Sequence, residues 1–132
     1  MPTITVNLKQ VDDATTAAQI RQHAVDIDRP QAKGGHDKGA MGGELLLASL
    51  GGCFNSNLLA AIRARDLEID DIAIEVSGEL AEAPARFSTI QMVVKSAHED
   101  RDMLEKLVTM SERACIVANT LKGAVELKVT VA

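Results

Sequence analysis

The stretch from Glu44 to Arg65 carries Leu45, Leu46, Leu47, Leu50, Cys53, Phe54, Leu58, Leu59 and Ile62, and leaves almost no polar face. A helix written this way must be covered on nearly every side. A chain of 132 residues is the size of one domain, and a domain of that size hides only about two-thirds of its surface when alone. Covering the helix is easier if a second subunit supplies part of the wrapping, so the run predicts a buried central helix and a homodimer. Gly51, Gly52, Asn55, Ser56 and Asn57 interrupt it too often for a membrane span, which needs about 20 predominantly apolar residues.

The rest of the core must be aliphatic, because aromatic residues make up only 2% of the chain, two Phe with no Trp or Tyr. Hydrophobic residues at 46% and charged residues at 25% are ordinary for a folded globular domain. A net charge of -5 and a pI near 5.1 argue against a nucleic-acid partner, which requires a basic face and stacking aromatics. The opening Met-Pro-Thr-Ile-Thr-Val has no basic segment followed by an apolar run, so the expectation is no signal peptide and a cytoplasmic location.

Periodicity around the central helix is mostly strand-like. Ile4, Val6 and Leu8 alternate over residues 3 to 8, Asp12 and Asp13 supply a turn, and a second strand over about residues 16 to 27 completes an N-terminal hairpin. Residues 28 to 43 are dense in Gly and charge and read as a solvated loop. Ile72, Ile74, Val76 and Leu80 alternate inward. A turn at Glu82 to Ala85 then leads to a strand from Phe87 to Lys95, a second hairpin. A helix from about Glu99 to Met110 buries Met103, Leu104, Leu107 and Val108, a short helix holds Cys115, and Val125 to Val131 alternate as a closing strand. Strand pairs around a buried helix, without regular β-α-β alternation, make the chain α+β: one domain over residues 1 to 132.

Cys53 and Cys115 are the two cysteines. Their placement in two apolar helical segments is compatible with a structural bridge, with two inert core residues, or with a redox pair. A reducing compartment disfavours the first of these. Zinc does not fit, since there is no C-x-x-C and His23, His36 and His98 are scattered. His36-Asp37 belongs to the glycine loop and His98-Glu99 to a helix start. No phosphate-binding glycine pattern is present, so neither metal nor cofactor is expected.

The run Gly42-Gly43-Glu44-Leu45-Leu46-Leu47-Ala48-Ser49-Leu50-Gly51-Gly52-Cys53 and the segment Cys115-Ile116-Val117-Ala118-Asn119-Thr120-Leu121, 62 positions apart at their cysteines, resemble the two cysteine segments of the OsmC/Ohr family, the osmotically inducible and organic hydroperoxide resistance proteins. The order of elements is similar over nearly the whole length. The resemblance implies antiparallel hairpins wrapped around a central helix in an intertwined homodimer, with thiol-dependent peroxidase activity towards organic hydroperoxides. Cys53 would be the attacking thiol and Cys115 the resolving one, recycled by an external dithiol such as a lipoylated protein or thioredoxin. An alternative is a non-enzymatic dimer of the same fold that binds a hydrophobic small molecule at its interface.

The resemblance further implies an arginine from the N-terminal strand region, for which Arg21 is the candidate, and a glutamate ten positions before the first cysteine. That position is Gly43 here, with Glu44 at nine. At about 100° per residue, Glu44 falls about 180° round a continuous helix from Cys53. These departures place the chain near the divergent OsmC-like branch.

Overall fold

The computed structural model describes residues 1 to 132. Its elements are β1 (Asn7–Gln10), β2 (Thr16–Ile20), β3 (His23–Ile27), a single 3₁₀ turn (Gln31–Lys33), α1 (Gly42–Ala64), β4 (Ala73–Ala81), β5 (Arg86–Lys95), α2 (Arg101–Ala114), α3 (Ile116–Leu121) and β6 (Glu126–Val131). They form two compact units, Met1–Leu46 and Leu47–Ala132. The α+β class is as the periodicity predicts.

The first unit is a three-stranded antiparallel meander in the order β1-β2-β3, not a two-stranded hairpin. The segment read as one long second strand breaks at Arg21 and Gln22, where Ile20 pairs with His23 across a two-residue turn and Arg21 adopts a φ of 55°. Arg-Gln carries none of the Asn-Gly signal that marks such turns, so local composition hides it. The same turn explains why the first strand starts late. Asn7 already pairs with Gln19, β2 ends at Ile20, and residues before position 6 run past the end of their partner. Ile4, Val6 and Leu8, expected to be half-buried, are exposed.

The glycine-rich loop is fastened, not free. Asp28 is buried, and its carboxylate accepts hydrogen bonds from Thr15 Oγ1 (3.1 Å) and from the backbone N–H groups of Arg29 (2.7 Å), His36 (3.1 Å) and Lys38 (3.1 Å). Gly35 is required there, because a Cβ at that position would lie 2.1 Å from the carbonyl oxygen of Arg29.

In the second unit β5 is central, antiparallel to β4 and parallel to β6. Parallel neighbours need a crossover, and α2 with α3 provides it, so one β-α-β connection exists where the sequence suggested none. The core joins Leu50, Phe54, Leu58 and Ile62 of α1 with Ile90, Met92 and Val94 of β5 and Leu104, Leu107 and Val108 of α2. Asp100 caps α2 by accepting from Met103 N at 3.0 Å. The helix continues past Met110 to Ala114, and within it Ser111 Oγ donates back to Leu107 O at 2.7 Å. In β4 the alternation fails at its end: Glu79 pairs with Thr89 but Leu80 with Phe87, a bulge that turns Leu80 outward to 74% exposure.

The central helix is not covered all round. Leu50, Gly51, Phe54, Leu58 and Ile62 form one buried stripe, whereas Leu46 and Leu59 are exposed. By length and composition α1 meets the requirement for a membrane span, with a mean hydropathy of 1.6, yet its stripe is built into the aliphatic core of this unit. Gly51 permits the close approach, since a Cβ there would lie 3.1 Å from Val76 Cγ2 of β4.

Candidate thiol site

Cys53 sits on α1 between the buried Gly51 and Phe54 and is partly exposed, while Cys115 is fully buried. Cys115 does not lie within a helix as the sequence suggested. It is the joint between α2 and α3, with an extended backbone (φ -79°, ψ 116°) that closes one helix and caps the next. Its N–H donates to Glu112 O at 3.1 Å, and its Sγ accepts from Ala118 N at 3.4 Å. No proline or glycine marks the break, which is why periodicity runs through it.

Although they stand 62 positions apart in the chain, the fold brings the two thiols close enough to act on each other's acidity, and both are free. Their acidities diverge. Burial pushes the Cys53 thiol up, but the backbone N–H of Val117, the Cys115 thiol and the N–H of Ile116 together outweigh it, so Cys53 is more acidic than an ordinary thiol. Burial also pushes Cys115 up. The Ala118 N–H opposes this, but the hydrogen bond to Cys53 and the negative charge on Cys53 add to it, and Cys115 is less acidic than usual. Of the two thiols Cys53 is therefore the more readily ionised. The thiolate is the nucleophilic form of cysteine, and the more readily ionised sulfur is also the more exposed one.

Arg21 and Glu44 belong to the first unit, and each has a local partner. The Arg21 guanidinium donates to Gln22 Oε1 at 3.4 Å. The Glu44 carboxylate accepts from Met41 N at 2.8 Å, satisfying a backbone donor at the start of α1. The groups that acidify Cys53 are Cys115 and the first amides of α3, and the amides escaped sequence reasoning because a backbone N–H has no signature in side-chain types.

Two further features come from the structure. A cleft of about 170 Å³ lies between α1 and α2, lined by Asn57, Ala61, Met110, Ser111 and Ala114. In the first unit, Asp12, Asp13 and His36 bring potential metal-ligand atoms within 4.8 Å of one another. Their charges are met internally, by His36 Nε2 against Asp13 Oδ1 at 2.6 Å and Lys38 Nζ against Asp12 Oδ2 at 2.6 Å.

The fold and the site can be set beside known proteins. Over its full length the chain is similar to the crystal structure of a putative osmotic stress induced and detoxification response protein from Psychrobacter arcticus 273-4, with 22% identity, a TM-score of 0.85 and 98% of that chain covered. An OsmC like protein from Mycoplasma pneumoniae is similar at 20% identity and a TM-score of 0.81, covering 99% of this chain and 95% of that one. An organic hydroperoxide resistance protein OsmC from Legionella pneumophila is similar at 16% identity and a TM-score of 0.72, covering 100% of this chain and 98% of that one. A search of curated proteins finds no match. The sequence model of the OsmC-like protein family matches residues 35–130, a span that contains both cysteines and nearly all of the helix and sheet that position them: the chain belongs to the OsmC-like protein family.

Proposed function

We propose that this protein is a cysteine-based hydroperoxide reductase. The observation that carries the reading is the pairing of an acidic, partly exposed Cys53 with a buried, less acidic Cys115 at hydrogen-bonding reach. The Cys53 thiolate attacks the distal oxygen of a hydroperoxide. The O–O bond breaks, an alcohol leaves after taking a proton, and Cys53 becomes a sulfenic acid. The Cys115 thiolate then attacks that sulfur, hydroxide leaves as water once protonated, and a disulfide forms. An external dithiol, a lipoylated or thioredoxin-like protein, reduces the disulfide by two electrons and restores both thiols.

Burial holds Cys115 protonated, and oxidation of Cys53 removes the negative charge that adds to it, while the Ala118 N–H remains to favour the Cys115 thiolate. The resolving thiol is thereby easier to ionise after the first step than before it. The α1–α2 cleft has apolar walls, Ala61, Met110 and Ala114, that suit an alkyl substituent, and organic hydroperoxides are the substrate class proposed. The exposed Leu46 and Leu59 of α1 and the uncovered Ile4, Val6 and Leu8 supply apolar surface for a second copy, which supports a homodimer as the working form.

Titration with cumene hydroperoxide and with hydrogen peroxide, counting free thiols, tests the reading. Loss of both thiols with one peroxide consumed per chain is expected, faster with the organic substrate. With the Glu44 carboxylate engaged by Met41 N, the second reading is a non-enzymatic dimer that binds a hydrophobic small molecule at its interface. Thiols that persist under peroxide would favour it.

A further inference from the structure

The last turn of any helix leaves carbonyls without an intrahelical donor, and the last turn of α2 leads directly into Cys115. Three of its carbonyls are met from three directions. The Asn57 amide, one turn after Cys53 on α1, donates to Ser111 O at 3.5 Å. The N–H of Cys115 itself donates to Glu112 O at 3.1 Å. The Asn119 amide on α3 donates to Arg113 O at 3.0 Å. The joint that carries the buried thiol is thus tied forward to α3 and sideways to the helix that carries the partly exposed thiol.

We propose that Asn119 and Asn57 are positioning residues for thiol–disulfide exchange: by holding the C-terminal carbonyls of α2, they keep the Cys115 sulfur aimed at the Cys53 sulfur, Asn119 more strongly than Asn57. This rests on the reading of Cys115 as the resolving thiol, but not on the identity of the oxidant. Each amide donates to a backbone carbonyl of α2 and not to a cysteine sulfur. Their effect falls on the second bond-forming step alone, because attack by Cys53 on an incoming reagent does not require Cys115 to move into line, whereas attack by Cys115 on oxidised Cys53 does.

The test uses the reduced full chain and the aromatic disulfide DTNB in place of peroxide. The Cys53 thiolate attacks the reagent, forming a mixed disulfide and releasing one thionitrobenzoate anion. The Cys115 thiolate then attacks the Cys53 sulfur, forming the Cys53–Cys115 disulfide and releasing the second. Wild type is expected to release both in two phases and to retain no adduct by mass spectrometry. Asn119→Ala should leave the first phase within about twofold and slow the second by about tenfold or more, so that the mixed disulfide accumulates. Asn119→Asp, which preserves shape but lacks the N–H donor, should do the same and guards against a folding defect in the alanine variant. Asn57→Ala should show a smaller slowing of the same phase. A second phase at the wild-type rate in both Asn119 variants overturns the proposal, as does equal slowing of both phases. A wild-type mixed disulfide that never resolves overturns it too. If wild type resolves the mixed disulfide but consumes no hydroperoxide, the peroxidase reading falls and the positioning role stands.

Discussion

The Cys115 sulfur accepts the Ala118 N–H at 3.4 Å and its thiol is among the groups that lower the Cys53 pKa, so one buried side chain caps a helix and favours the Cys53 thiolate at once. The acidity of Cys53 is therefore tied to the first amides of α3 and to the presence of Cys115.

Alkylation of the reduced protein by iodoacetamide, followed against pH, should show Cys53 reacting with a midpoint below the ordinary thiol value of about 8.5. Cys115→Ala removes a hydrogen-bond donor that lowers the Cys53 pKa, so the midpoint should move upward in that variant. A midpoint unchanged by Cys115→Ala would mean that the α3 amides act alone.

The two cysteines should fail differently. Cys53→Ser should abolish peroxide consumption. Cys115→Ser should react once and stop at the sulfenic acid, which proceeds to sulfinic acid under excess peroxide. Mass spectrometry of each variant after one and many equivalents of peroxide distinguishes these outcomes, and a first turnover that survives Cys53→Ser but not Cys115→Ser would reverse the roles.

The loop that Asp28 fastens should respond to pH at both ends of the range. Burial pushes the Asp28 carboxyl up, but the N–H groups of Lys38, Arg29 and His36 and the Thr15 hydroxyl hold it below its usual value. Its contribution is present above the unfolded carboxylate pKa of about 3.9 and is lost as pH falls through the folded value. His36 is shifted the other way, raised by its hydrogen bond to Asp13 and by the charge on Asp13. Its contribution is complete below the unfolded pKa of about 6.5 and is lost as pH rises through the folded value. Thermal unfolding should show Asp28→Asn several degrees less stable than wild type at neutral pH, with the gap closing in strong acid. His36→Ala should show a smaller deficit at pH 6 that disappears by pH 9. A His36→Ala deficit that persists at alkaline pH would mean packing and not the ion pair.

The exposed apolar face of α1 should be an interface. Light scattering of the wild type at micromolar concentration is expected to give the mass of two chains, and Leu59→Glu should shift the population toward one, because a carboxylate cannot be buried there without a partner. A wild type that remains a monomer removes the dimer from the proposed function.

Local pattern determined the long apolar helix, the alternation of Ile72, Ile74 and Val76, the strand from Phe87 and the closing strand over Val125 to Val131, since periods of 3.6 and 2 record which side of an element meets a core. It also marked the Asp12 turn and the two cysteine segments. Pattern does not record which element lies opposite. The parallel pairing of β5 with β6, the outward turn of Leu80 at a bulge and the break of the second strand at Arg21 depend on register and backbone conformation, which Leu, Arg and Gln do not announce. The meeting of Cys53 with Cys115 joins positions far apart in the chain. It depends on where α2 stops, and at that end the carbonyls of Ser111, Glu112 and Arg113 accept from Asn57, the Cys115 N–H and Asn119. Sequence named both thiols; only the tertiary structure separated their acidities, because the groups that do so are burial, backbone amides and the other thiol, which come together only once the chain has folded.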